Sequence, residues 1–473
     1  MAQHDYRVAI LGAGPIGCAT AAFLSQQGIK AGMWSPTARR LQPHEHPDRA
    51  QFECVGAVNG TVVVDRIVGL DALVDYTHIF VCLPGSLYQR VLEDAAQYWR
   101  TGQTVIVSGA LSLVPLWIQN EARSRGAAIT AVGWGTTLTT AHFLADGRLH
   151  LNAMRQRIDM ACLAVSDHAA AATSTNAYAD CQAFFGNRFM LVDSLLASTL
   201  ANINPIAHAA EVIPNLTRMD RGEPWQLFAH FTGVVARMAD ALDRERLALA
   251  RRLGFELPTL AQHYHRSYHV PQGPLNEMAQ AIEDLGAGPL GPDRLEHRYV
   301  LEDVPFGLVF QERLAQMCGV DSPMLSSCIT LLEAIYERSF RSENFLITAL
   351  LPAQTPRELD GSPSAGMSVG GMSVDESSVD KMSMEEMSLE QMSLEQMSTD
   401  DISANGISAD HISADDISAD EMPLSETSLR DKPSDEIAPY ELSIHNLAQR
   451  AAPIRSAPLD ALLASCRSAR AAS

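Results

Sequence analysis

The sequence predicts an α/β domain built on a doubly wound parallel sheet, then a mainly helical domain, then an acidic repeat tail. Three observations carry this. Short apolar, partly β-branched runs alternate with helical stretches through about residue 165. Beyond about residue 190 the strand-like runs stop and helical spacing takes over. From about residue 366 a five-residue period without aromatics replaces both.

Composition bounds the classes of function. The chain has 473 residues, 47% of them hydrophobic, with 56 acidic and 35 basic side chains and a net charge of −21. That length suits two or three domains. Residues 351–473 hold 22 acids and 8 bases, a net of −14, against −7 for residues 1–350. Such acidity argues against nucleic-acid binding and against docking on anionic membranes, both of which rely on basic patches. The eight cysteines are scattered with no C-x-x-C pair, as small buried hydrophobes are. No apolar stretch reaches the roughly 18 residues of a membrane span, and the polar N-terminus is unlike a secretory signal. The expectation is a cytoplasmic protein.

Residues 7–11 (Arg-Val-Ala-Ile-Leu) read as a buried parallel strand. Gly12-Ala-Gly14-Pro-Ile-Gly17 follows, then an Ala-rich helix to about Gln27, then a second strand from Lys30 to Trp34. A G-x-G-x-x-G run between strand and helix is the dinucleotide-binding fingerprint of a Rossmann domain. Gly12 permits the tight turn, Gly14 lets backbone approach a pyrophosphate, and Gly17 lets helix and strand pack closely. The second strand ends in Trp34-Ser35-Pro36-Thr37-Ala38-Arg39-Arg40, with no carboxylate to accept from ribose hydroxyls. Ser35, Arg39 and Arg40 suit a 2′-phosphate, so NADP(H) is favoured, with NAD(H) as the alternative.

Phe52–Gly56 and Thr61–Asp65 flank Asn59-Gly60, a hairpin signal. His78–Leu83, Thr104–Val107 and Ala128–Val132 are buried runs, and 157–165 adds a further strand. Ligands of such sheets bind beyond the carboxyl ends of the strands, which places Pro84, Gly85, Ser108 and Thr136 near cofactor or substrate. Helices are expected at Leu195–Asn202, 226–254, 308–318 and 323–340, with Gly254 closing the second. The expected domains are 1–190, dinucleotide-binding; 191–355, helical and substrate-binding; 356–435, the low-complexity tail; and 436–473, a short C-terminal segment with helical periodicity.

The order of motifs resembles the opine dehydrogenases, the octopine and nopaline dehydrogenases and octopine synthase. Matching pieces are the glycine run, Trp34-Ser-Pro36, Asn202-Ile-Asn-Pro-Ile-Ala-His208, Leu242-Asp-Arg-Glu-Arg246 with Gly254, and His297-Arg-Tyr-Val-Leu-Glu-Asp-Val304. The resemblance covers roughly residues 5–345. It implies that an amino acid condenses with a 2-oxo acid, pyruvate or 2-oxoglutarate, and that a nicotinamide hydride reduces the imine. It implies His208 as the acid–base group, a role suited to imidazole. Asp303 is implied as its partner and Arg298 as a carboxylate clamp; Asn204 is read as fixing the nicotinamide amide or the substrate, and Thr136, by its place at a strand end, as a further substrate contact. Helix capping competes for Asp303, and a plain salt bridge for Arg298. His263, His265 and His269 do not share one helical face, and no metal is expected.

The tail repeats Met or Ile followed by Ser at 367, 372, 382, 387, 392, 397, 402, 407, 412 and 417. A period of five fits neither helix nor strand, and abundant acids without aromatics are the signature of disorder. A solenoid of five-residue steps is the sharper alternative. Such a tail is an addition to the family's length, and all of residues 356–473 are expected to be dispensable for turnover. Two other readings of function remain: a simple 2-oxo or 3-hydroxy acid dehydrogenase, and a non-catalytic NADP-binding scaffold whose tail recruits a partner. The substrates expected are small molecules; the oligomeric state stays open.

Overall fold

The computed structural model describes residues 6–37, 41, 46–163, 170–286, 288–351 and 457–467. The low-complexity tail at 356–435 therefore lies outside the described residues, as do Arg39 and Arg40.

Eleven strands form one mixed sheet. They are β1 (Val8–Leu11), β2 (Ala31–Trp34), β3 (Arg49–Gly56), β4 (Gly60–Arg66), β5 (His78–Val81), β6 (Thr104–Val107), β7 (Thr130–Trp134), β8 (Ala141–Phe143), β9 (Leu149–Leu151), β10 (Ile158–Leu163) and β11 (Phe189–Leu191). Their spatial order is β11-β10-β7-β6-β5-β1-β2-β4-β3-β9-β8. The centre, β7-β6-β5-β1-β2, is parallel throughout. Chain order reverses direction at β1, between β5 and β2, and that switch point opens a crevice for a ligand. The Asn59-Gly60 hairpin forms as expected, with β3 antiparallel to β4. The sheet departs from a purely parallel one at both ends, where β10 runs antiparallel to β7 and β8 to β9.

The helices are α1 (Pro15–Gln26), α2 (Tyr88–Ala95), α3 (Val114–Ser124), α4 (Ala170–Phe185), α5 (Leu195–Ala201), α6 (Asn204–Val212), α7 (Leu216–Asp220), α8 (Gly233–Arg252), α9 (Leu260–Tyr268), α10 (Leu275–Asp284), α11 (Arg298–Leu301), α12 (Val309–Cys318), α13 (Pro323–Tyr336), α14 (Phe340–Glu343), α15 (Phe345–Leu350) and α16 (Ala457–Ser465). Strand alternation sorts side chains to two faces. Val105 and Val107 join one buried cluster, while Ile106 joins the other with Phe80, Val132 and Trp134. The first cluster also takes Leu249, Phe306, Phe310 and Leu314 from the helical region, so sheet and helices share a core.

Three expectations are corrected. The helix read at 226–254 begins at Gly233, because Thr232 is extended and Gln226 bridges to Leu290. Its end is as read: Gly254 adopts φ +86°, which a side chain would resist. The helix read at 323–340 stops at Tyr336, where Glu337 turns left-handed. The C-terminal segment is no appendage. α16 returns to the sheet domain, burying Leu459, Leu462 and Cys466 in the first cluster. Leu195 N–H donates to the Cys466 carbonyl at 2.9 Å, and Ser194 pairs with Arg467.

Candidate active site

The glycine turn joins β1 to α1 at the switch point. Gly12 sits at φ +114°, and a Cβ there would overlap the Cys82 carbonyl at the end of β5. A Cβ on Gly17 would overlap the Gly12 carbonyl, so helix and strand close only over glycine. Gly14 is different: open space surrounds the position of its missing side chain. A ligand can therefore approach the backbone closely beside Gly14, at the start of the twelve-residue α1. This is a cradle for a diphosphate. At the carboxyl end of β6 the buried Ser108 hydroxyl has no hydrogen-bond partner, a polar atom that a ligand would satisfy. Both features fit a dinucleotide bound across the switch point.

The other expected cofactor residues spread along the same edge. Ser35 follows β2 and is half-buried. Pro84 precedes the turn Gly85–Leu87 and is exposed. Thr136 follows β7, half-buried.

The helical region brings His208 and Asp303 together. Asn202 ends α5, and its side-chain oxygen accepts from the Asn204 N–H at 3.0 Å. Pro205 follows in the first turn of α6, where its missing N–H costs nothing. One turn on, His208 is buried, and its Nδ1 lies 2.6 Å from Asp303 Oδ2. A carboxylate only accepts, so Nδ1 carries the hydrogen and Nε2 keeps its lone pair. Asp303 does not cap a helix. It stands just before a one-turn π segment, Val304–Leu308, that opens α12. Pro205 packs where a Cβ on Gly307 would stand, so the π turn and α6 close on one another through that glycine.

Burial lowers the His208 pKa, the Asp303 carboxylate opposes this, and the Arg298 charge adds to the lowering. The net direction is down, so the imidazole is neutral at pH 7 and able to accept a proton. Tyr299 stacks on its ring at 3.4 Å and 11°.

Arg298 makes the salt bridge considered for it. Its Nε donates to Glu302 Oε2 at 3.0 Å, a salt bridge, while the side chain stays half-exposed. Burial acts to lower its pKa, but Asp303 and Glu302 outweigh this and hold it up. Glu302 Oε1 accepts from the Gly85 N–H at 3.4 Å, tying the Arg298 helix to the turn after β5. The Ser112 hydroxyl donates to the Phe306 carbonyl, and the Asn344 amide to Ser112 and the Pro305 carbonyl. The sheet edge and the Asp303 segment are thus fixed to each other.

Sequence reasoning missed Glu211. It stands three residues after His208 on α6, fully within the core. Tyr264 O–H donates to its Oε1 at 3.4 Å, and Oε2 has no partner. Burial, with the Asp303 charge adding, pushes it up to about 8, so it is a neutral acid at pH 7. The spacing from His208 was its one sequence signal. Tyr299 and Glu302 were within reach, since both lie in the His297–Val304 motif.

The Asp243 and Arg246 of the Leu242–Arg246 motif serve the scaffold. Arg246 is fully buried and donates to Asp243 Oδ1, the Leu200 carbonyl and the Pro258 carbonyl at 2.7–2.9 Å. Asp243 Oδ2 accepts from the Leu260 N–H at the start of α9. Glu245 takes the Met324 and Leu325 amides at the start of α13. On α9, His265 Nδ1 donates to the Val270 carbonyl, His263 pairs with Ser267, and His269 turns left-handed at the helix end. Among the described residues no three His, Cys, Asp or Glu side chains gather as a metal site would require. Nor is any described helix long and apolar enough to cross a membrane.

Residues 191–336 match the model of the α-helical domain of NAD/NADP octopine/nopaline dehydrogenases. An opine dehydrogenase from Arthrobacter sp. (strain 1C) is 26% identical over 341 residues, 71% of this chain and 92% of that protein. A vitopine synthase from Allorhizobium ampelinum is 23% identical over 359 residues, 74% of this chain and 97% of that one. Among solved structures, an octopine dehydrogenase with NADH and L-arginine aligns at TM-score 0.57 and 14% identity, over 70% of this chain and 90% of that one. A yersinopine dehydrogenase with NADP+ aligns at 0.52 and 15%, over 73% and 92%.

Proposed function

The chain belongs to the octopine/nopaline dehydrogenase family, and from that premise we propose a course for the reaction on this chain's own residues. It is an NAD(P)-dependent oxidoreductase acting on CH–NH bonds. It joins an amino acid to a 2-oxo acid by reductive condensation. The observation that carries the reading of the site is the buried His208–Asp303 pair, with Nδ1 engaged and Nε2 free.

An amino acid arrives as an ammonium ion and must lose a proton to attack a carbonyl. Neutral His208 accepts that proton at Nε2, and Asp303 stabilises the imidazolium through Nδ1. The amine nitrogen bonds to the carbonyl carbon of the 2-oxo acid. His208 then returns the proton to the hydroxyl, water leaves, and the C=N bond forms. Gly12, Gly14 and Gly17 would hold the dinucleotide, which when bound would supply the hydride that reduces this bond. Arg298, its Nε held by Glu302, presents its two terminal nitrogens to the oxo-acid carboxylate. Asn204 and Thr136 complete the substrate contacts. NADP(H) is the preferred cofactor, supported by the absence of an acid after Trp34 and by Arg39 and Arg40.

The test is NADPH oxidation with a panel of amino acids against pyruvate and 2-oxoglutarate, repeated with NADH. Turnover is expected only with both substrates present. Equal rates with the oxo acid alone would replace this reading with plain 2-oxo acid reduction.

A further inference from the structure

Arg155 lies in the loop between β9 and β10, and no part of the reaction above uses it. Its backbone is held at both ends: its N–H donates to the Leu138 carbonyl at 2.9 Å, and its carbonyl accepts from Arg188 at 2.8 Å. Its Nε donates to the Thr137 carbonyl at 3.1 Å, just past the carboxyl end of β7. The guanidinium is half-buried and has no acidic partner among the described residues.

The groups facing Arg155 offer it no negative charge. From α9 it is met by the Tyr268 phenol and the His263 imidazole. Burial, with the charges of Arg155, Arg246 and Arg266 adding, pushes His263 down to about 4, so it is neutral. Burial holds the Tyr268 proton on, with Glu211 adding once it ionises above about pH 8 and Arg155 opposing. Glu211, next along from Tyr268, is itself a neutral acid at pH 7. Arg246 is consumed by Asp243. A guanidinium taken partly out of water beside neutral or cationic groups is costly unless something brings it an anion.

The sheet says which anion. The diphosphate cradle is at β1, and Arg155 is anchored at β7, three strand spacings away, roughly 14 Å. Arg155 is therefore on the substrate side. Both substrates of the condensation are carboxylates. Arg298, beside Asp303, accounts for one. We propose that Arg155 holds the carboxylate of the amine-bearing substrate through the guanidinium nitrogens left free by the Thr137 contact. This assignment rests on the condensation reading above. It makes the site one that recognises amino acids rather than simple amines, with the two carboxylates held apart on two arginines.

The experiment compares the wild-type enzyme with Arg155→Met and Arg155→Lys on L-alanine, L-glutamate, L-arginine and L-phenylalanine and on the carboxamide of each. Steady-state kinetics with saturating NADPH and 2-oxo acid is paired with calorimetric binding of the same eight compounds. The expected result for Arg155→Met is a rise in KM for the preferred amino acid of about 10- to 100-fold, the loss of a charge-assisted hydrogen bond. Its carboxamide, already poor, should be unaffected, KM for the oxo acid unchanged, and Arg155→Lys intermediate. An equal change for acid and carboxamide, or none for either, overturns the assignment. If the wild type turns over no amino acid, the condensation reading fails by itself. The calorimetry then decides separately. Binding of the acids that vanishes in Arg155→Met upholds the carboxylate site; binding that survives, or is absent from the wild type, overturns it.

Discussion

Two acid–base pairs, Asp243–Arg246 and Asp303–His208, are both buried in the helical region, yet they are built differently. In the first, each guanidinium nitrogen of Arg246 has an acceptor, and each Asp243 oxygen has a donor. In the second, one nitrogen is used and the other is left over. Closing every hydrogen bond makes a pair a staple, here joining α5, α8 and α9. Leaving one open makes a pair able to exchange a proton with something that comes and goes. The same contrast separates Arg246 from Arg155, whose free nitrogens have no acid to pair with among the described residues.

The comparison breaks most sharply at His208. His208→Asn keeps a donor toward Asp303 and removes the proton acceptor. It should lower kcat/KM by about 100- to 10,000-fold, the usual worth of general acid–base catalysis. The melting temperature should hardly move. A large loss of stability with catalysis retained in the folded fraction would assign His208 to the scaffold. At the staple the order inverts. Asp243→Asn leaves the buried Arg246 charge uncompensated, which costs about 3–5 kcal/mol of stability. Urea denaturation would read that loss, while turnover per folded molecule stays near the wild-type value.

How far these sites could be read from sequence follows from the same distinction. The sheet was legible because β-branched runs bounded by glycines leave few alternatives, and Gly12 and Gly17 are fixed by backbone approach. His208, Asp303 and Arg298 were legible only through motif order. Their spacing of some ninety residues carries no local signal, and only the packing of α6 on α11 and the π turn unites them. Glu211 sits in an Ala-rich helix and Arg155 in a polar loop, where a single charged residue looks like surface. Nothing local announces that one is buried and the other lacks an acid. α9 and α10 were missed because their polar faces outweigh short apolar stripes, although Thr259 and Gln262 form a capping box.

The return of α16 sharpens the comparison at the level of whole segments. Removing only residues 356–450 should leave turnover nearly unchanged, whereas the anchor at 457–467 belongs to the core. Leu462→Ala should cost about 2 kcal/mol, the low end for a buried leucine, because 6% of the side chain remains exposed. An unchanged urea midpoint in this variant would mean that α16 does not dock in solution.

Glu211 gives the most specific effect. Its proton is held in the folded state up to about pH 8 and is released from the unfolded chain near the ordinary carboxyl value of 4.5. Because the folded pKa is the higher, its contribution to stability is complete below about pH 4.5 and drains away as pH rises toward 8. The slope for one proton cannot exceed about 1.4 kcal/mol per pH unit. Glu211→Gln keeps the shape and the acceptor for Tyr264 but has no proton to lose. Its denaturation free energy should therefore fall less steeply than that of the wild type between pH 5 and 8, and the two curves should converge at the acidic end. Parallel curves over that range would mean that Glu211 ionises normally. The acid behind His208 would then carry a charge at neutral pH, and the comparison would have to be redrawn with two ionised carboxylates flanking one imidazole.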